Sequence, residues 1–382
     1  MTGEPRVRHV CTIVPDFMLE AISHGGSEEE RDAAVATLAV DHGMREHRLA
    51  MPPPTLVAEP VPAVPHKNRR TYTADNGYGL PGRLVRGEGD PVVGDEAVDE
   101  AHDGLGATFD LFWDVFARNS IDDGGMDLVA TVHYGVRYNN AFWDGEQMVF
   151  GDGDGVIFNR FTIAVDVEGH ELAHGVTAAT ANLEYRDQPG ALNESLSDCF
   201  GSMVKQRSRG QTAAEADWLI GEGLLAPGIH GVALRSMKDP GTAFDDARLG
   251  KDPQPAHMDD YVDTTQDNGG VHINSGIPNR AFYLACIALG GSSWERAGRV
   301  WYATLTDPAL TSTASFLDFA TLTVHHAREL YDVEVRDAVA QAWADVGIVV
   351  EPPPDEEADG EWQPAPGMDP YFGAGDTSDP AD

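Results

Sequence analysis

The spacing of hydrophobic and polar positions changes midway along the chain. Before about residue 166, apolar residues occur in short alternating runs such as residues 128–132, separated by turns rich in Gly and Asp. Alternation with a period of two predicts half-buried strands. Beyond this point the apolar runs lengthen and recur every three or four residues, which predicts helices. We therefore predict an α+β fold in which a β-rich N-terminal lobe precedes a helical C-terminal lobe, with a cleft between them.

The helical spacing also predicts individual helices. In the C-terminal half they cover residues 167–180, 191–207, 272–289, 293–304 and 315–331, and one more covers residues 28–49. Composition then sets the outer boundaries. We predict an N-terminal segment (1–50), a proline-rich exposed connector (51–66), a β-rich lobe including the first C-terminal helix (67–185), a helical lobe (186–350) and a disordered acidic tail (351–382).

Composition narrows the classes of function. The 382 residues include 26 Lys and Arg against 63 Asp and Glu, a formal net charge of −37, which repels phosphate backbones and disfavours a nucleic-acid partner. Such acidity fits either a high-salt environment or a biased genome. Hydrophobic residues make up 42%, which is typical of a globular protein. No run approaches the roughly 18 apolar residues that span a bilayer, so no membrane partner is expected.

Cysteine content and the N-terminus bear on the compartment. Cys11, Cys199 and Cys286 are too few and too scattered to form a disulfide framework. The apolar run at residues 10–14 is too short for a secretory signal. We therefore expect a cytoplasmic protein, or one exported by a non-standard route.

One short segment carries the ligand pattern of a metal site. His170 and His174 stand four residues apart in a predicted helix, with Glu171 directly after the first histidine. Residues four apart share one face of a helix, so both imidazoles can reach the same metal ion. Glu171 can face a water bound there without itself coordinating. This pattern alone is only a lead, because it recurs by chance in about one chain in a hundred.

The third protein ligand that a catalytic zinc needs is sought on the next predicted helix. Within residues 190–198, Glu194 is flanked mostly by small and apolar residues, and Asp198 follows one helical turn later. Glu194 is the candidate ligand, and Asp198 can accept a hydrogen bond from a ligating imidazole. Taken alone, the two carboxylates would be interpreted as solvated charges on an amphipathic helix.

Three further blocks accompany these two segments in a fixed order. They cover residues 138–143 before the zinc helix, and residues 234–237 and 267–276 after it. The five blocks together resemble the thermolysin family of zinc metalloendopeptidases, and the short N-terminal segment is most similar to the protealysin branch. The resemblance spans most of residues 71–350. It implies a thermolysin-like two-lobed fold with the zinc helix between the lobes.

The resemblance implies how the metal and the base are arranged. His170, His174 and Glu194 would bind Zn²⁺, and Asp198 would orient His170. Glu171 would be the general base for the attacking water and would later pass the proton to the leaving amine.

It likewise implies roles for residues around the reacting bond. His272 and Tyr185 would donate hydrogen bonds to the oxyanion, and Asp267 would hold His272 in the required tautomer. The substrate main chain would be held by Asn140, the backbone of Ala141, and Arg235. Apolar residues match the pocket for the residue after the scissile bond: Phe158, Phe161, Val167, Ile220, Leu224 and Leu234. We therefore expect cleavage before bulky hydrophobic residues, a role compatible with plain core packing.

The calcium sites of the family are predicted to be degraded. Asp166, Asp217 and Glu222 match carboxylates of a double calcium site, but Lys205 and Leu219 stand where two further carboxylates are expected. A lysine ammonium would replace a cation rather than bind one. We expect few or no bound calcium ions.

The resemblance implies that residues 1–50 are a propeptide. Residues 15–19 resemble the proline-led signature of the branch imperfectly, and the expected pocket suggests cleavage before Leu56 or Val57. Cys11 has two interpretations, a zinc-binding latch in the precursor or a small packed hydrophobic side chain, and the second is favoured.

The sequence thus predicts a zinc-dependent neutral endopeptidase that is made as a self-processing precursor. The expected partners are peptide or protein substrates and the chain's own propeptide, with a protein inhibitor as a further candidate. A catalytically silent zinc-binding relative, acting as a binding or adhesion module, is the alternative, although such relatives usually lose the base that Glu171 supplies. An aminopeptidase would need an acidic cluster that anchors the substrate amine, and none is identified near the zinc helix.

Overall fold

The structure is a computed structural model that describes residues 11–50 and 65–351. Most of the predicted connector, the predicted processing site and all but the first residue of the acidic tail therefore lie outside the described residues. Among the described helices, none is both long and apolar enough to cross a bilayer.

Five strands build a mixed sheet in the N-terminal lobe: β1 (Arg69–Thr73), β2 (Arg83–Gly87), β3 (Leu128–Val132), β4 (Ala141–Trp143) and β5 (Met148–Phe150). Their order is β2-β1-β3-β5-β4, with β3 parallel to both β1 and β5 and the outer pairs antiparallel. β4 is thus an edge strand, and its outer backbone groups can pair with an added strand.

A long helix, α3 (Glu96–Phe116), lies within the lobe that was predicted as β-rich. Its buried stripe follows helical spacing through Val98, Ala101, Leu105, Phe109 and Phe112, and it packs against β1 and β3. Because it covers the sheet, this helix completes the core of the N-terminal lobe. Helix α3 was not predicted, because glycines and aspartates interrupt the helical spacing of its apolar residues.

The C-terminal lobe is helical as predicted. Its helices are α4 (Val165–Ala179), α5 (Asp187–Ser208), α6 (Asp267–Asn274), α7 (Gly276–Leu289), α8 (Ala297–Thr306), α9 (Phe316–Leu330) and α10 (Val333–Ala344). Short helical turns occupy Phe161–Ile163 and Met258–Asp260. Two-stranded ribbons pair β6 (Leu219–Ile220) with β7 (Arg235–Ser236) and β8 (Asp245–Asp246) with β9 (Gly250–Lys251).

The predicted helix over residues 272–289 is wrong in its continuity. It is two helices, α6 and α7, separated at Ser275. The first turn of α6 contains left-handed residues at Asn268, Gly269 and Gly270, which do not continue a regular helix. This irregular turn sets where His272 emerges.

Helices α4 and α5 pack closely enough to share one site. A Cβ at Gly201 would lie 2.3 Å from the carbonyl oxygen of Asp166, and one at Gly169 would lie 3.0 Å from the Cα of Gly201. Only glycine permits this approach of two backbones. The crossing brings the histidine pair of α4 against the carboxylates of α5.

The N-terminal segment forms two helices, α1 (Asp16–Gly25) and α2 (Glu28–Ala50), so the predicted helix over residues 28–49 is confirmed. Residues Met18, Leu19 and Ile22 of α1 are buried in the main hydrophobic core. The segment is therefore packed into the same body as the two lobes.

Candidate active site

The two histidines of α4 converge as their spacing predicts. The Nε2 atoms of His170 and His174 lie 3.0 Å apart, and both side chains are buried. Their position four residues apart on one helix accounts for this convergence.

Glu194 on α5 meets the histidine pair. Its Oε2 lies 3.5 Å from Nε2 of His170, and its Oε1 lies 3.5 Å from Nε2 of His174. One ligand atom from each of these three residues and from Cys11 lies within 4.8 Å of the others. Oε2 of Glu194 is buried and has no hydrogen-bond partner within the described parts of the chain. Two imidazole nitrogens and a carboxylate are a ligand set that zinc takes, so these residues fit the metal.

Each histidine is held through its other ring nitrogen. Nδ1 of His170 lies 2.7 Å from Oδ1 of Asp198, the carboxylate named for this histidine in the sequence. Nδ1 of His174 lies 2.8 Å from Oδ1 of Asn193 and 3.1 Å from Oγ of Ser197. Such contacts fix the tautomer and leave Nε2 free to coordinate. Asn193 and Ser197 were not predicted as site residues, although each is adjacent in sequence to a predicted one, Glu194 or Asp198.

Asp198 is itself held by two further groups. Nε and Nη2 of Arg235 donate to its carboxylate at 2.9 and 2.8 Å, and Nδ2 of Asn279 donates at 2.8 Å. Burial would raise the pKa of Asp198, but the charge of Arg235 and the nearby His170 lower it below its usual range. The carboxylate that holds His170 is therefore kept ionised.

Glu171 is buried beside the ligand cluster. Its Oε2 accepts a hydrogen bond from the backbone N–H of Trp143 at 3.1 Å, and its Oε1 has no hydrogen-bond partner among the residues described. Burial, and then the negative charge of Glu194, raises the pKa of Glu171 well above its usual value. A carboxylate with raised basicity beside a metal site is suited to proton transfer.

His272 and Tyr185 face the cluster from the other side. Nδ1 of His272 lies 2.6 Å from Oδ1 of Asp267, which leaves Nε2 directed 3.5 Å from Oε2 of Glu194. The hydroxyl of Tyr185 lies 3.2 Å from Nε2 of His272 and donates to Oε1 of Glu194. Burial would lower the pKa of His272, but the charges of Glu194 and Asp267 raise it overall, which favours a donating imidazole.

The electrostatics of the ligand cluster follow from burial among opposite charges. Burial would raise the pKa of Glu194, but His272, His174 and His170 lower it to about 2. Burial lowers the pKa of His174 to about 4. The carboxylate is therefore ionised and His174 is neutral near pH 7, which are the forms that coordinate a metal.

The structure places Cys11 in the middle of these groups. Its Sγ lies 2.9 Å from Oε1 of Glu194, 2.9 Å from the hydroxyl of Tyr185 and 3.6 Å from Nε2 of His272. The favoured interpretation, a small packed hydrophobic side chain, does not account for these polar contacts. The sequence could not reveal them, because residue 11 and its partners are more than 170 positions apart.

The residues predicted to hold a substrate main chain instead hold the N-terminal segment. The N–H of Ile13 donates to the carbonyl of Ala141 at 3.1 Å, and Val14 exchanges hydrogen bonds of 2.9 and 3.1 Å with the Asn140 side chain. Thr12 forms an antiparallel bridge with Phe142. The segment therefore extends the sheet at the edge strand β4.

The side chains predicted to form the specificity pocket are apolar and buried. All six side chains named for it are at most 1% exposed, namely Phe158, Phe161, Val167, Ile220, Leu224 and Leu234. They belong to the hydrophobic cluster that includes the fully buried Ile13.

Lys205 lies among the three carboxylates that were predicted to match a calcium site of the family. Its Nζ lies 2.8 Å from Asp217, 3.3 Å from Asp166 and 3.6 Å from Glu222, and it donates to the carbonyl of Leu219 at 3.0 Å. Burial would lower the pKa of Lys205, but the charges of Asp166 and Asp217 raise it. The ammonium is thus retained among carboxylates that match calcium ligands.

Comparison with known proteins identifies the family. The sequence profile of the thermolysin metallopeptidase catalytic domain matches residues 65–178, and that of its alpha-helical domain matches residues 181–348. An extracellular metalloprotease of Pectobacterium carotovorum subsp. carotovorum is 56% identical over 90% of this chain and 98% of its own length. Thermolysin of Alicyclobacillus acidocaldarius is 40% identical over 73% of this chain and 50% of its own length.

A solved structure gives the same result. The precursor of protealysin, a metalloproteinase from Serratia proteamaculans, superposes with a TM-score of 0.80 at 55% identity, covering 89% of this chain and all of that one. The relatives are named as proteases, so the alternative of a silent binding module is not favoured. The chain therefore belongs to the thermolysin family of zinc metallopeptidases, in its protealysin-like branch, and is a zinc neutral endopeptidase.

Proposed function

We propose that this cleft hydrolyses peptide bonds before bulky hydrophobic residues, with Zn²⁺ held by His170, His174 and Glu194. The convergence of these three buried ligand atoms next to the unpaired Oε1 of Glu171 carries the proposal. A bound zinc ion supplies Lewis acidity and lowers the pKa of a water molecule.

Glu171 is the general base. Its Oε1 has no protein hydrogen-bond partner in the described structure, whereas Oε2 is fixed by the N–H of Trp143 at 3.1 Å. The carboxylate is thus oriented with one oxygen available for a proton from the attacking water. It then passes this proton to the leaving amine nitrogen.

Tyr185 and His272 stabilise the negative charge that develops on the substrate carbonyl oxygen. Their donor atoms lie 3.2 Å apart, so both can approach one oxygen. Asp267 accepts from Nδ1 of His272 at 2.6 Å and thereby directs a proton to Nε2.

Asn140, Ala141 and Arg235 bind the substrate main chain as an added strand on β4. Their side chains and backbone already make this kind of contact with residues 13 and 14. The buried apolar pocket beside them accommodates a large hydrophobic side chain. A charged side chain would lose its hydration there and bind less favourably.

The test compares Glu171→Gln with wild type after the N-terminal segment has been removed. A peptide with Leu after the scissile bond reports hydrolysis, and elemental analysis reports zinc. We expect the variant to keep its zinc and to lose about 10²- to 10⁴-fold in rate. Glu184→Gln, which alters an exposed carboxylate nearby, is the matched control and should be unchanged. Full activity of Glu171→Gln with zinc bound would refute the assignment.

We also propose that residues 1–50 are an inhibitory propeptide, and that the precursor removes it by cutting in the connector at residues 51–66. The contacts of Ile13 and Val14 with Ala141 and Asn140 support inhibition, because they use the groups that a substrate needs. A protein inhibitor would have to occupy the same edge strand. The name of the Pectobacterium relative, an extracellular metalloprotease, supports export rather than the cytoplasmic location.

Replacement of calcium by Lys205 is a further part of the proposal. The ammonium contacts Asp166 and Asp217 and takes the carbonyl of Leu219, which is an oxygen of the kind calcium prefers. Arg209 adds a second positive charge, 3.2 Å from Asp217 and 2.9 Å from Glu222, so two cationic side chains stand where a divalent cation would otherwise balance these carboxylates.

A further inference from the structure

The N-terminal segment lies on β4 in the register of a substrate. Ile13 donates its N–H to Ala141 at 3.1 Å and accepts at its carbonyl from Nη1 of Arg235 at 3.3 Å. Val14 is paired at both backbone groups with Asn140. These groups are proposed to bind the substrate main chain, and Arg235 directly follows Leu234 of the pocket proposed for the residue after the scissile bond. The contact of Arg235 with the Ile13 carbonyl therefore places Ile13 at that position.

The peptide bond before Ile13 then lies at the catalytic groups. Thr12 is opposite Phe142, and the next residue of that strand, Trp143, holds Glu171. The carbonyl oxygen of Thr12 lies 3.8 Å from Sγ of Cys11, which in turn contacts the hydroxyl of Tyr185 at 2.9 Å. The Thr12 carbonyl thus lies beside the thiol that contacts one of the proposed oxyanion donors.

Chemistry and burial agree with this register. Ile13 is 0% exposed and belongs to the hydrophobic cluster that includes Phe158 and Leu234. A bulky aliphatic residue is what the proposed specificity requires after the cleaved bond. The segment therefore makes the contacts that are proposed for a substrate. That the peptide bond before Ile13 is nevertheless not cleaved needs an explanation.

Cys11 supplies that explanation. Its thiol fills the space in front of Glu194, Tyr185 and His272, at 2.9, 2.9 and 3.6 Å. An attacking water needs this space, and the carbonyl oxygen needs the donors that the sulfur engages. A side chain that occupies both positions leaves the adjacent bond bound but unreactive.

We propose that Thr12–Ile13 occupies the scissile position of this chain's own active site, and that Cys11 keeps this bond intact. Replacing Cys11 with a smaller residue converts the inhibitory segment into a substrate. In the reaction, the oxygen of water bonds to the carbonyl carbon of Thr12 and the carbon–nitrogen bond breaks. Glu171 carries one proton from the water to the nitrogen of Ile13, and the second proton of the water also reaches this nitrogen when the new acid ionises, giving a Thr12 carboxylate and an Ile13 ammonium group. The inference rests on the proposed function.

The experiment follows intact mass and N-terminal sequence of the full-length Cys11→Ala precursor. We expect a new N-terminus at Ile13, formed at least tenfold faster than in wild type. Cys286→Ala, which removes another buried free thiol, on helix α7, should behave as wild type. The double variant Cys11→Ala/Glu171→Gln should stay intact at this bond.

The outcomes separate the two proposals. If Cys11→Ala hydrolyses an added peptide but leaves Thr12–Ile13 intact, the inference is overturned and the proposed function stands. If processed wild type hydrolyses no peptide, the proposed function fails and the inference fails with it. Should circular dichroism show that Cys11→Ala does not fold, processed wild type is given two synthetic peptides of residues 6–20, one native and one with Ala in place of Cys11. Cutting of the substituted peptide between Thr12 and Ile13, with this bond intact in the native peptide, supports the inference, and any other pattern overturns it.

Discussion

Each side chain of the site is oriented or kept in its protonation state by a neighbouring residue, and its own position in the sequence does not reveal that neighbour. The pair His170 and His174 could be predicted because a helix repeats its face every four residues, and Glu194 because the next helix carries a carboxylate in an apolar frame. Asn193 was missed although it precedes Glu194. An asparagine in a helix carries no signal of its own until its partner is known. Contacts of residue 11 had no local signal at all.

The partner of His174 gives a test at this scale. Asn193→Ala removes the oxygen 2.8 Å from Nδ1 of His174, so the imidazole is less well oriented. We expect zinc affinity to fall about 10- to 100-fold, measured by competition with a chelator. Ser195→Ala is the control, because the hydroxyl of this buried residue on the same helix faces the sulfur of Cys199, at 4.0 Å. Equal losses in both variants would argue against a specific role for Asn193.

At the scale of elements, the site depends on β4 and on what covers it. Helix α2 reaches this edge strand through Asp41, whose carboxylate accepts from Nδ2 of Asn140 at 2.9 Å and from the hydroxyl of Tyr138. Helix α2 was predicted from spacing, but its docking on β4 was not, because the contact joins residues almost a hundred positions apart. Helix α3 was missed because glycines and aspartates interrupt its pattern.

The protonation of Asp41 determines how pH affects the stability of the protein with its N-terminal segment docked on β4. Burial raises the pKa of Asp41 from 3.8 to about 6, against the lowering effect of Tyr138, Arg45 and Asn140. Because the folded pKa is raised, the contribution of Asp41 to stability is fully present below about pH 4 and is lost as pH rises through 6. Asparagine resembles the protonated acid and can keep both hydrogen bonds.

We therefore expect Asp41→Asn to match wild type near pH 4 and to be more stable by up to about 3 kcal/mol near pH 7.5. Denaturant unfolding in the inactive Glu171→Gln background measures the free energy without self-processing. Asp32→Asn, which changes an exposed carboxylate on the same helix, should show no such pH-dependent gain. Parallel pH curves for wild type and Asp41→Asn would contradict the account.

Lys205 links α5 to the loop around β6, and its charge is the subject of another prediction. Lys205→Gln leaves the buried carboxylate of Asp166 without its cation at 3.3 Å. We expect a loss of about 3–5 kcal/mol in the free energy of unfolding. Adding Ca²⁺ should raise the melting temperature of the variant more than that of wild type, since the carboxylates of Asp217 and Glu222 remain. An equal calcium response of both proteins would show that Lys205 does not replace the ion.

At the scale of the whole molecule, two lobes and an N-terminal segment meet at one cleft. The class of fold and the order of the lobes followed from one change in hydrophobic spacing, because periodicity is a local property. The close crossing of α4 and α5 at Gly169 and Gly201 and the closure of the cleft by residues 11–14 depend on tertiary contacts. These contacts join distant parts of the chain and could be found only in three dimensions.

The most direct test of the central claim is to compare the intact mass and N-terminal sequence of purified wild type with those of Glu171→Ala. We predict that wild type loses a segment ending within residues 51–66, while Glu171→Ala remains full length, because processing uses the base of the chain's own active site. Loss of the same segment from both proteins, or from neither, would contradict the claim that this chain is a self-processing zinc endopeptidase.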